Sequence, residues 1–171
     1  MVTRAVIMAV VAMFCFTGVN STEAADYVGV KKCRMCHPKQ HKSWEQTKMA
    51  KAFEILKPGE RAEAKTAANL DPNKDYTTDA SCVACHSVNG SADMPGVQCE
   101  SCHGAGSEYM KVMMTNRDYK KEELIAAGLV VPDEATCRKC HNEKNPFHKE
   151  FVFEERVKEG THEHFPLKRA H

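Results

Sequence analysis

Four short stretches of the chain share one pattern: two cysteines separated by two residues, with a histidine directly after the second. They are Cys33, Cys36 and His37; Cys82, Cys85 and His86; Cys99, Cys102 and His103; and Cys137, Cys140 and His141. Eight of the nine cysteines are spent in this way. With 9 histidines in 171 residues, chance would place one behind all four pairs on the order of once in 10^5. A cysteine pair alone also suits half of a zinc site or a thioredoxin-like redox centre. Zinc has no need of a histidine at that position, and four redox centres would need four βαβ units, for which this chain has no room. The pattern is that of covalent haem attachment.

The spacing follows from the chemistry. Two thiols add across the two vinyl groups of one porphyrin, and a spacer of two residues lets both sulfurs reach the same edge. The next side chain then projects beneath the ring, where an imidazole binds the iron. Four motifs predict four c-type haems, held by the eight cysteines, with His37, His86, His103 and His141 as proximal iron ligands.

The opening stretch, MVTRAVIMAVVAMFCFTGVNSTEAADY, carries one arginine, an apolar run from Ala5 to about Val19 and small residues ahead of Asp26. This is the shape of a secretory signal cut after Ala24 or Ala25. A membrane anchor is the alternative, although the run is shorter than the ~20 residues of a span. Phe14 is too large to precede a lipoprotein cysteine, so Cys15 is read as part of a discarded leader. The expected layout is a signal over residues 1–25 and one tetrahaem domain over 26–171, in a periplasmic or extracellular protein.

A chain of this size with a mean hydropathy of −0.51 and one tryptophan buries a modest apolar core. Porphyrins would supply what is missing. The formal net charge of +1 gives no reason to expect nucleic-acid binding. Lys31, Lys32, Lys39, Lys42, Lys48 and Lys51 gather near the first motif, either to steer an acidic redox partner or as an ordinary solvated face.

The spacing of Trp44, Met49, Ala52, Phe53 and Leu56 predicts a helix that ends at Lys57-Pro58-Gly59. A second is expected in ERAEAKTAANL, a third in KKEELIAAGL stopped at Gly128, and a fourth in FEERVKEG stopped at Gly160. Residues 87–98, SVNGSADMPGVQ, are too rich in glycine and proline for a regular element. No segment alternates as a strand. The fold class is mainly α, with helices and long loops wrapped around haems.

The ordered set KKCRMCH, SWEQTKMAKAFEILKPG, LDPNKDYTTDASCVACH, GVQCESCHGAGS and FEERVKEGTHEH resembles the tetrahaem cytochrome c-554 family of periplasmic electron carriers. The resemblance covers nearly the whole chain after the leader. It implies haems packed edge to edge and in stacked pairs, redox protein partners, and an electron-relay function. It also implies that distal ligands come from outside the haem motifs. One, for the fourth haem, falls on His162, with His164 beside it. Another, for the third haem, falls on Met49, where the family pattern has histidine. A third, for the first haem, falls among Met110, Met113 and Met114, and the count from the motif histidine selects Met113. Methionine ligation would raise the potential of those haems above that of bis-histidine ones; packing of Met49 and Met113 in a core is the alternative. The resemblance supplies no sixth ligand for the second haem. His41, His148 and His171 read as surface residues. Two other functions stay open from the sequence: reduction of a small nitrogen oxide at an open haem, and assembly as a protomer of a haem filament or larger complex.

Overall fold

The computed structural model describes residues 24–169 and 171; residues 1–23, which hold most of the expected leader, lie outside the described residues. Short helices joined by turns carry the chain. They are α1 (Val30–Cys36), α2 (Pro38–Trp44), α3 (Ala62–Ala67), α4 (Ala80–His86), α5 (Cys99–His103), α6 (Ser107–Thr115), α7 (Lys121–Ala126), α8 (Glu134–Arg138) and α9 (Phe153–Gly160). Single 3-10 turns stand at Glu54–Leu56 and Val88–Gly90. No strand forms among the described residues, where Ser87 and Pro95 make an isolated bridge. The architecture is mainly α, as expected. The longest of these helices, α6, has 9 residues, fewer than the ~12–15 at which an isolated helix becomes marginally stable in water. Contacts between elements must therefore supply the order.

Every haem motif falls on a helix or at its end. Residues three apart share a helical face, so the thiols of each pair leave the same side of one turn and the histidine follows them. Two of these helices begin at a side-chain cap. Asp79 accepts from the Ser81 N–H at 3.1 Å ahead of α4, and Asp133 accepts from the Thr136 N–H at 2.9 Å ahead of α8. Such caps satisfy amide donors that the first turn leaves unpaired.

The helix expected from Trp44 to Leu56 is not formed as one piece. α2 ends at Trp44, because Thr47 captures the carbonyl there. Its N–H and its hydroxyl both donate to Trp44 O, at 2.8 and 2.7 Å, while its oxygen accepts from Ala50 N–H at 3.3 Å. A threonine that bonds the local backbone offers the chain an alternative to the helix. Phe53 and Leu56 are nonetheless buried, in one cluster with Tyr76 and Val83. A second cluster joins Tyr109, Leu124 and Leu129. The large side chains wholly removed from solvent are Leu124 and Val88, a thin core for the length described.

Candidate haem-binding sites

Cysteines of different motifs lie near one another. Cys99 first and burial second push the Cys33 thiol far up, while Cys33 holds the Cys99 thiol down against the opposing effect of burial. Burial first and Cys85 next push Cys140 up to about 12. Burial and then Cys137 raise Cys102. The first motif thus lies beside the third, and the fourth beside both the third and the second. All eight cysteines are free thiols, as attachment to porphyrin vinyl groups requires.

The first and third motifs are joined by buried polar groups. Glu100, between the cysteines of the third motif, is 2 % exposed. Its carboxylate accepts from Val28 N–H at 2.9 and 3.1 Å, Gly29 N–H at 2.7 Å and Gly106 N–H at 2.8 Å. Beside it, Gln98 accepts from Val30 N–H at 2.8 Å and donates to Pro95 O at 3.0 Å. The single tryptophan adds a tie, Trp44 Nε1 donating to Val97 O at 2.8 Å. The segment before α1 and the end of α2 are thereby fastened to the run that carries Cys99.

Two of the motif histidines are held at Nδ1 by backbone carbonyls. His86 Nδ1 meets Ala52 O, and His103 Nδ1 lies 3.3 Å from Val130 O. A carbonyl on Nδ1 fixes the tautomer and leaves Nε2 as the ligating atom. Val130 N–H also donates to His103 O at 2.9 Å, an approach that Gly104 permits. Gly104 has φ +79, and a Cβ there would stand 2.6 Å from Gly128 O. His141 stacks on Phe151 with ring centres 4.9 Å apart, and Arg138 covers the other part of that ring at 4.8 Å. Burial is the first cause that lowers the pKa values of His37, His103 and His141, which favours the neutral, metal-binding imidazole.

Two further histidines face the motifs. His162 stands with its ring centre 6.5 Å from that of His103, the planes 32° apart, and its Nδ1 is engaged by Glu163 O at 2.9 Å. Imidazoles sharing one metal from opposite sides, each bonded at about 2 Å, hold their ring centres about 6 Å apart. The donor set therefore fits haem c: paired thiols on one helical face, a neutral imidazole after them, and an opposed imidazole at the third motif. His162, which the resemblance assigned to the fourth haem, lies in this structure near His103 of the third motif. His171, read from the sequence as a surface residue, is half-buried and sets its ring 5.3 Å from that of His37.

Met49 is in the turn after α2 and not on a helix, its carbonyl accepting from Val97 N–H at 3.0 Å. Met113 packs with Met110 and Val112 against Tyr109, Leu124 and Leu129, while Met114 is exposed. His41 is buried against Trp44 and near Glu45, correcting its reading as a surface residue; His148 is exposed as expected. Glu100, Gln98 and Val130 had no sequence signal, because each acts on backbone far away along the chain. Asp79 and Asp133 did have one, an aspartate at the head of α4 and of α8.

The chain is similar to known proteins of one family. The family model described as cytochrome c554 and c-prime matches residues 32–104. Cytochrome c-554 of Nitrosomonas europaea is 35% identical over a 197-residue alignment covering 91% of this chain and 83% of that protein. The solved structure of the reduced state of cytochrome c554 from Nitrosomonas europaea superposes with a TM-score of 0.71 at 33% identity, covering 85% of this chain and 89% of that one.

Proposed function

Since the chain belongs to the cytochrome c-554 family, and is thereby an electron-transferring c-type cytochrome with covalently bound haem c, we propose that it relays electrons through four haems, one on each Cys-x-x-Cys-His motif. The observation that carries this reading is that cysteines of different motifs lie near one another, first beside third, third beside fourth and fourth beside second. Haem c, when bound, supplies an iron that takes up and gives back one electron.

The residues of the chain do the rest. The cysteine pairs fix position, and His37, His86, His103 and His141 present neutral nitrogens. Val130 O and Ala52 O keep two of those rings from turning. His162 takes the sixth position at the third haem, the place that the resemblance gave to Met49, because its ring already opposes His103. Met49 then serves as packing between the second and third motifs, and Met113 as part of the apolar cluster. Bis-histidine ligation sets the third haem lower in potential than methionine would.

The reading includes a leader over residues 1–25, the haem domain over residues 26–171 and a periplasmic or extracellular site of action. No helix among the described residues is long and apolar enough to cross a membrane. Redox proteins are the partners. Lys31, Lys32, Lys39, Lys42, Lys48 and Lys51 are all exposed around the first motif, a surface that would draw an acidic partner at a rate that falls with salt.

Mass spectrometry of the secreted protein tests the count, and four haems per chain are expected. Stepwise reduction in a redox titration tests the relay. In His162→Ala, one low-spin haem should become high-spin. The bare chain mass, or a titration that engages fewer than four haems, would end this reading.

A further inference from the structure

We propose that His171 is the sixth ligand of the haem on the first motif, reaching back along the fold to a position where this chain has methionine. This rests on the haem reading above and deepens it at one site. The stretch after the third motif, to which the resemblance assigns that ligand, offers Met110, Met113 and Met114 and no histidine. In the structure Met110 and Met113 are turned into the apolar cluster around Leu124, and Met114 is 65% exposed. His171, by contrast, is brought to the first motif itself. Its ring centre is 5.3 Å from that of His37 with the planes 64° apart, within about 1 Å of the separation two imidazoles take across one metal.

The surroundings of His171 prepare it for that place. Tyr119 Oη lies 3.4 Å from His171 Nδ1, so Nδ1 is the engaged nitrogen and Nε2 is left to ligate. Tyr119 is itself packed on the cluster of Tyr109, Leu124 and Leu129. Its ring is 6.2 Å from that of His171 and lies under the Arg169 guanidinium at 5.9 Å. The same cluster that holds the methionines inward thus supplies the post on which the histidine is hung. A ligand lost from one segment is replaced by another arriving at the same motif.

The test uses the holoprotein and compares it with His171→Ala, His171→Met and Met113→Leu. Haem content by mass comes first: a first motif without haem overturns both this assignment and the four-haem reading. With four haems bound, His171→Ala should convert one of them from low-spin to high-spin in electron paramagnetic resonance, open it to carbon monoxide, and return to low-spin on adding imidazole. His171→Met should introduce a sulfur-to-iron charge-transfer band and raise one potential. Met113→Leu should leave the spectra of the parent unchanged. An unaltered spin state in His171→Ala with four haems attached overturns the assignment and leaves the four-haem reading intact. A sulfur-to-iron band in the parent that vanishes in Met113→Leu overturns it as well.

Discussion

Replacing Glu100 by alanine should loosen the first motif from the third. The carboxylate, 2 % exposed, accepts from Val28, Gly29 and Gly106. A hydrogen bond to a charged group contributes about 1.5–3 kcal/mol, and an orphaned buried donor costs about 1–3 kcal/mol. The three donors share one carboxylate, so their contributions do not add in full; a loss of about 4 kcal/mol is the working figure. For a domain of this size each kcal/mol moves the melting temperature by about 2–4 °C, which gives a fall of about 8–16 °C. Circular dichroism in the haem absorption region, followed during heating of the holoprotein, reads the loosening directly, since thioether-bound haem stays attached throughout. Glu100→Gln keeps one acceptor oxygen but turns an NH2 toward amide donors, and should fall between. Removing a buried negative charge also favours the reduced iron, so potentials at the first or third haem should rise in both variants. A melting temperature within about 2 °C of the parent for Glu100→Ala, with potentials unmoved, would refute the clamp.

Gly104→Ala should cost about 2–3 kcal/mol, because φ there is +79 and the new Cβ meets Gly128 O at 2.6 Å; urea unfolding measures it, and a parent-like midpoint speaks against the close approach. Hydrogen bonds from Ser81 and Thr136 hold Asp79 and Asp133 below the usual carboxylate range. The stability they lend is whole above the unfolded value of about 3.9 and is lost as pH falls through the lowered folded value. The helical signal of Asp79→Asn/Asp133→Asn should therefore trail the parent at pH 6 and meet it near pH 2, and a gap constant over that range would sink the argument. Changing Lys39 and Lys42 to glutamine should slow reduction by an acidic redox partner and flatten its salt dependence; equal slopes in stopped-flow traces would remove the lysine face from partner steering.

What could be read from the sequence was whatever is fixed over a few residues. The cysteine pairs and their histidines are such features, and so are the stops of α7 and α9. The helix expected through Met49 failed on a single hydroxyl: Thr47 bonds Trp44 O, a competition that apolar spacing does not reveal. Glu100 reads as an ordinary acidic residue until Val28, 72 positions earlier, is laid on it. His171 looks like a solvated end until Tyr119, 52 positions away, fixes its ring. Long-range partners of this kind have no local period, and propensity is blind to them.

Cysteines of the first motif lie near the third, those of the third near the fourth, and those of the fourth near the second, while the ribosome makes the motifs in the order first to fourth. A growing chain that has displayed Cys33 and Cys82 still lacks Cys99, Glu100 and Cys140, against which those two regions settle. Synthesis from the amino end thus leaves Val28 and Gly29 without the carboxylate of Glu100 until the third motif emerges, while the second motif already has Ala52, Phe53 and Tyr76 to settle on.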